Sequence, residues 1–313
     1  IRRPPRSTQG VSSAASDVYK RQGMLHAKIL RSAVGHARLI NIDASKARLA
    51  PGVHAVLTRD ELDRVGSAFY GYFIKDQPIV AIDKLRYQGD TIAAVAAETE
   101  AQAEAALALI TVQLEELTAV PNIDAALSGD APELFEDIPM GVVPKYGTGA
   151  SGALWPKKNI CYLFRYETGS ESVFQKCDQI FEDEFRFSRL HHFHLEPFVT
   201  VAYASSERIE IWSSCQNPFP LRKELGRIFG MPENLISVNS TYIGGGFGSK
   251  NNCKTEPIAA LLSLISGQPV RLCLTAEEGF LTNTQHAAIL KLKSGVMQDG
   301  TFCLLYTSPS PRD

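Results

Sequence analysis

The stretch that most restricts this chain is Gly244-Gly245-Gly246-Phe247-Gly248-Ser249-Lys250, which joins a strand-like run, Leu235 to Ile243, to a helical one, Glu256 to Ser266. Three consecutive glycines between a strand and a helix free the backbone to take positive φ and let a ligand approach the main chain closely. Successive N–H groups in such a turn can converge into an anion cradle, reinforced by the following helix N-terminus; the same run also suits a plain sharp turn. Two nucleotide signatures can be tested directly. The dinucleotide pattern G-x-G-x-x-G fails because Ser249 stands in the place of the third glycine, and a P-loop fails because no Gly-Lys-Ser/Thr follows at the required spacing. The element order, with Glu277 past the next strand Pro269 to Leu274, still allows an alternative: a nucleotide-binding module using the Gly244–Gly248 loop for a pyrophosphate.

With 313 residues, 44% of them hydrophobic and 21% charged, the chain is long enough for about two domains with real cores. From Gly23 to about Leu127 strands and helices alternate. Leu25–Ile29 alternates apolar and polar, Asp43 is a candidate N-cap for a short helix, and Val53–Leu57 reads as a strand. Thr91–Ala97 is almost wholly apolar, which suits a strand covered on both faces. Thr99-x-x-Gln102 is a capping box for a helix Glu100 to Leu109, and Ile110, Val112 and Leu114 return as a strand. That order predicts a right-handed crossover between parallel neighbours. Residues 128–159, rich in Gly, Pro and Ser, read as a linker, and residues 160–302 as a second domain. Within it, Leu221, Leu225, Ile228 and Phe229 form a helical stripe closed by Gly230 and Pro232.

The two ends follow none of these periods. Residues 1–22 and 303–313 are rich in Ser, Pro and Arg and resemble translated sequencing-library adapter, so residues 23–302 are read as an internal piece of a longer protein. A formal net charge of −2, with no basic stripe, gives no reason to expect nucleic acid. The longest apolar runs are too short to cross a bilayer, so no membrane partner is expected. Six cysteines, at 161, 177, 215, 253, 273 and 303, are scattered singly with no C-x-x-C, which argues against zinc or iron–sulfur sites in this chain. They read as reduced thiols of a cytoplasmic protein.

Four strings in order carry a resemblance. Thr241-Tyr242-Ile243 with Gly244–Lys250 resembles the G-G-G-F-G-x-K cofactor loop of the xanthine dehydrogenase/aldehyde oxidase family of molybdenum hydroxylases. His191-His192-Phe193-His194-Leu195-Glu196-Pro197 resembles its H-x-x-x-E-P strand, and Trp212-Ser213-Ser214-Cys215-Gln216-Asn217 its W-S-S-T-Q-x segment, with Cys215 in the usual Thr place. Gln77-Pro78, Tyr87–Asp90 and Val95–Val120 resemble its hammerhead domain. The resemblance implies an α+β fold: an α/β hammerhead domain at 23–127, then the truncated N-terminal part of a molybdopterin-binding domain at 160–302.

It further implies hydroxylation of an aldehyde, an N-heterocycle or an aromatic thioester with oxygen drawn from water. The cofactor would be molybdopterin, a molybdenum-pyranopterin that can take a cytosine dinucleotide form. Electrons would leave through [2Fe–2S] clusters and FAD on partner chains or domains outside this piece. Matched position by position, Gln216 with the backbone of Gly245, Gly246 and Phe247 would bind the cofactor, and no residue would bind the metal directly. Asn251 stands where xanthine-converting members place a substrate-orienting Glu; a neutral amide cannot accept a proton from a purine, so xanthine is disfavoured. The family's catalytic Glu falls beyond Asp313, and this piece alone is expected to be inactive. The three histidines are expected on a regular strand, with His192 and His194 on one face, and therefore not to share a metal. Glu196 reads as a buried structural carboxylate, and Lys250 as a cation for a pterin phosphate or an exposed helix-start residue. A cofactor-free interaction protein of the same fold is the third possibility.

Overall fold

A computed structural model of the chain describes residues 22–71, 74–135, 150–157, 159–166, 170–240 and 242–308. Contacts divide it into two units, 1–119 with 192–283, and 120–191 with 284–313. The first unit is organised by a seven-stranded sheet of β1 (Leu25–Arg31), β2 (Val53–Leu57), β3 (Thr91–Ala97), β4 (Val199–Ala204), β5 (Ile209–Ser213), β6 (Ile236–Ser240) and β7 (Val270–Cys273). Their spatial order is β6-β5-β4-β7-β1-β3-β2. β1 runs parallel to β7, and β6 parallel to β5; the remaining neighbours are antiparallel.

β3 shows why an apolar run becomes a central strand. Ala94 and Ala96 enter one core with Leu25, Leu261 and Leu272, while Ala93, Val95 and Ala97 enter a second core with Leu39, Ala103 and Ala106. Alternate side chains of a strand point to opposite faces, so a strand buried twice has no polar position to offer. Helix α1 (Glu100–Leu107) begins where Thr99 accepts from Gln102 N–H at 3.2 Å, although the Gln102 side chain takes the Thr99 hydroxyl and not its main-chain N–H. Helix α2 (Pro218–Phe229) buries Leu221, Leu225 and Ile228 and ends at Gly230, whose φ of 64° is cheap only for glycine. Helix α3 (Glu256–Ser266) is buried on nearly every side from Glu256 to Ser263 and ends likewise at Gly267. Truncating a fully buried leucine here, such as Leu262, is worth ~2–5 kcal/mol.

Several local expectations change. The strand after α1, Thr111–Glu116, does not lie beside β3 but pairs antiparallel with Ala37–Asp43 in a separate three-stranded sheet. Its Val112 and Leu114 pack on the second core, so the chain covers a face of the large sheet instead of widening it. Ala44, not Asp43, is the N-cap of Ser45–Arg48; Asp43 accepts from Ser45 N–H at 3.0 Å. In the second unit, Ala150–Lys157, inside the stretch read as a linker, pairs antiparallel with Ile160–Tyr166. Its Gly152 and Pro156 disguise the strand, and the reversal is marked by Asn159 at φ 58°. Gln179–Phe187, Ala288–Val296 and Phe302–Ser308 form an antiparallel sheet. Residues 303–308, set apart in the sequence, thus add its edge strand, where main-chain pairing asks little of the side chains. Residues 1–21 and 309–313 lie outside the described residues.

Candidate functional site

The parallel pair β5 and β6 ends in register at Ser213 opposite Ser240, so the segments that follow emerge together from one end of the sheet. Ser240 Oγ donates to the Cys215 carbonyl at 2.6 Å and locks the two exits to each other. Past β5 the chain runs through Ser214 and Cys215 to Gln216 and Asn217, then starts α2. Past β6 it runs through the glycines to Lys250 and reaches α3 only at Glu256. A third segment, residues 192–197, passes beside the glycine loop: Glu196 N–H donates to the Gly244 carbonyl at 3.2 Å.

These three segments hold each other tightly. Gln216 N–H donates to the Lys250 carbonyl at 2.9 Å, and Lys250 N–H donates to Gln216 Oε1 at 3.1 Å. A Cβ built on Gly246 would stand 2.5 Å from Gln216 Oε1 and 2.6 Å from its Cδ, so the Gln216 amide lies against the Gly246 main chain. Gly245 has φ 96°, and a Cβ there would meet the His194 Cβ at 3.2 Å. Asn217 Nδ2 donates to Asn251 Oδ1 at 3.2 Å, bringing the fifth predicted position to the same place. Phe247 takes a left-handed φ of 51° although it carries a side chain, and that side chain stays 71% exposed. Such a conformation costs a non-glycine residue ~1–2 kcal/mol and concentrates at functional sites.

Two details decide what the arrangement can bind. Among the described residues, no internal acceptor takes the N–H groups of Gly245, Gly246 or Phe247, and Gln216 Nε2 has no hydrogen-bond partner. The site therefore presents a main-chain patch of unused donors beside one neutral amide, with no charge added. By contrast, the N-terminus of α3 is closed to an anion. Residues 249–255 separate it from the glycines, and the buried Glu256 carboxylate sits at its start, accepting from Ser213 Oγ at 2.6 Å and Lys254 N–H at 2.9 Å. A pyrophosphate placed there would face a carboxylate, which disfavours the nucleotide reading.

Residues 155–307 match the family model of the molybdopterin cofactor-binding domain, and residues 15–118 that of the aldehyde oxidase and xanthine dehydrogenase a/b hammerhead domain. The chain belongs to the xanthine dehydrogenase/aldehyde oxidase family of molybdenum hydroxylases. It is 35% identical over 281 residues to a probable xanthine dehydrogenase subunit of Bacillus subtilis, covering 89% of this chain and 35% of that protein. It is 32% identical to the nicotinate dehydrogenase large molybdopterin subunit of Eubacterium barkeri, covering 93% of this chain and 64% of that one. A crystal structure of the Cu,Mo-CO dehydrogenase superposes with a TM-score of 0.80 at 29% identity, over 92% of this chain and 36% of that one. The chain thus spans roughly a third to two thirds of the length of such relatives.

Within this segment, two sequence expectations need correction. Residues 191–194 are not a regular strand, since Phe193 takes φ 51°; this backbone turn, not strand alternation, orients the histidines. His194 Nδ1 lies 2.6 Å from the Glu196 carbonyl and so carries the proton, which leaves Nε2 to accept from Ser249 Oγ at 3.3 Å. Lys250 is neither exposed nor turned to a phosphate: it is 2% exposed, with Nζ donating to Glu196 Oε2 and to the Glu196 carbonyl, each at 2.9 Å. Burial holds its ammonium below the usual lysine range, against the pull of Glu196. Glu196 itself is fully buried, as its sequence context suggested. Its pairing with Lys250, and the bracing by Ser249 and by Asn283, which donates to the Ser249 carbonyl at 2.8 Å, carry no local sequence signal.

Proposed function

We propose that the protein carrying this segment is the molybdenum-cofactor-binding subunit of a hydroxylase acting on an aldehyde, an N-heterocycle or an aromatic thioester. The observation that carries this reading is the convergence of the Gln216 amide with the unused N–H groups of Gly245, Gly246 and Phe247. When bound, the molybdenum–pyranopterin, plain or as its cytosine dinucleotide, supplies the two-electron oxidation, with water as the source of oxygen. The residues present fit such a group. A Cβ at Gly246 would fill the cradle, and the free donors match oxygen ligands without placing a charge beside the metal.

Each residue then has a limited task. Gln216 donates through Nε2, its orientation fixed because Oε1 is already committed to Lys250 N–H. Gly245, Gly246 and Phe247 offer main-chain donors on a loop where a side chain at Gly245 would crowd His194 and one at Gly246 would displace Gln216. Asn251, with Oδ1 taken by Asn217, faces substrate as a donor and not as a proton acceptor, which weighs against a purine that must lose a proton. The proton acceptor for the reaction itself would come from another part of the full-length protein. [2Fe–2S] and FAD partners would take the electrons, and reduced thiols favour a cytoplasmic setting; no described helix is long and apolar enough to cross a membrane.

The test is an anaerobic assay of the full-length protein with an artificial electron acceptor and one member of each substrate class, in water enriched in oxygen-18. Label entering a hydroxylated product supports the proposal. Hydroxylated product without the label, or no turnover with any class by a molybdenum-loaded protein, contradicts it.

A further inference from the structure

A single atom ties the two ends of the glycine loop together. Glu196 Oε2 accepts from Gly244 N–H at 2.8 Å and from Lys250 Nζ at 2.9 Å. Between these anchors Phe247 and Gly248 are exposed, while Gly246 is buried against the Gln216 side chain. Lys250 passes the constraint on, because its main-chain N–H and carbonyl both engage Gln216, at 3.1 Å and 2.9 Å.

Stability alone does not account for the pair. Two charges so deeply buried lose their hydration, and well-packed apolar residues in their place are often neutral or better. The carboxylate is also not fully used: among the described residues, Glu196 Oε1 has no hydrogen-bond partner. A buried acceptor left without a partner costs free energy and is uncommon in folded proteins. What the ion pair offers and an apolar pair cannot is a fixed distance between residues 244 and 250.

We propose that Glu196 and Lys250 are positioning residues for the cofactor site: their buried pair sets the span of the loop and, through the Lys250 peptide, the orientation of the Gln216 amide. This rests on the reading of the loop as a molybdenum–pterin site. Outer partners that orient ligating groups typically affect affinity or activity by ~10–100-fold, and that is the range expected here.

The experiment compares the full-length wild type with Glu196→Leu/Lys250→Met and with Glu196→Gln. Hydrogen exchange is followed at the amides of 244–250, beside molybdenum and pterin content and the thermal midpoint. The double variant removes both charges, so the midpoint is expected to be near wild type. Loop amides are expected to exchange ~10–100-fold faster, with cofactor content falling in step. A merely structural pair predicts that restoring the midpoint also restores loop protection and cofactor content, and that result overturns the proposal. If the double variant does not fold, Glu196→Gln decides. It makes the bond from Gly244 N–H a neutral one and leaves the Lys250 ammonium without its counter-charge, so loop exchange must quicken and cofactor content drop; no change in either also overturns the proposal. A wild type free of molybdenum and pterin counts against the proposed function instead, while faster loop exchange in the variants still supports the positioning role.

Discussion

Replacing Gly246 by alanine adds one methyl group at the point where the account is most exposed. Gly246 does not have a positive φ, so the substitution adds no backbone strain and isolates the contact with Gln216. The new Cβ would stand 2.5 Å from Gln216 Oε1; ordinary contact starts at 3.4 Å, so the side chain must retreat by about 0.9 Å. A retreat of that size disturbs the bond that Oε1 accepts from Lys250 N–H, now at 3.1 Å. A lost hydrogen bond of this kind costs ~0.5–1.5 kcal/mol and overpacking ~1–3 kcal/mol, so the fold should lose ~1.5–4.5 kcal/mol in all. The disturbed amide should also lower molybdenum and pterin content by ~10-fold or more. Denaturant titration and metal analysis of the full-length protein measure the two effects. Gly129→Ala, where a Cβ meets nothing within 4 Å, serves as the neutral control. Gly246→Ala behaving like Gly129→Ala in both assays would refute the placement of Gln216 against the loop.

Gln216→Leu should leave the folding stability within ~1 kcal/mol of wild type yet strip most of the cofactor, since one loop hydrogen bond is a small part of the fold; retention of full molybdenum content contradicts its role. Burial pushes the Asp90 carboxyl up to about 6. A raised carboxylate pKa means the folded state holds the proton more tightly, so stability should fall by roughly 2 kcal/mol as pH rises from about 4 to above 6. Asp90→Asn should flatten that slope in a series of denaturant titrations, and an unchanged slope assigns it elsewhere. Burial likewise pushes the Cys215 thiol up to about 12. Cys215 should therefore resist iodoacetamide at pH 8 in the native protein and react only after denaturation, as peptide mass spectrometry reports; native labelling contradicts its burial.

The sequence was legible where one period or one special backbone need governed a segment. Residues 256–266 formed the helix that their apolar run foretold, Gly230 closed α2 in the left-handed conformation, and the double burial of Thr91–Ala97 followed from the absence of any polar side chain after Thr91. Pairing between distant segments was not legible. Thr111–Glu116 has the alternation of a strand, but alternation does not say which sheet a strand joins. Glu196 and Lys250 are distant in sequence and meet only because residues 192–197 run beside the glycine loop. Nor does a strand-like spacing of histidines reveal a residue such as Phe193, whose positive φ breaks the pattern. The motif strings placed Gln216, Gly246 and Asn251 near one another on paper; the parallel pair β5 and β6, ending together at Ser213 and Ser240, is the physical reason that they meet.

The central claim is that the amide of Gln216 and the main chain of Gly245–Phe247 hold a molybdenum–pterin and not a nucleotide. The most direct measurement is elemental and pterin analysis of the purified full-length protein alongside an NAD-binding titration. Molybdenum and pterin in matching amounts, with no saturable NAD binding at this segment, is the expected result. Saturable NAD binding abolished by a substitution at Gly246, in a protein free of molybdenum, would contradict it.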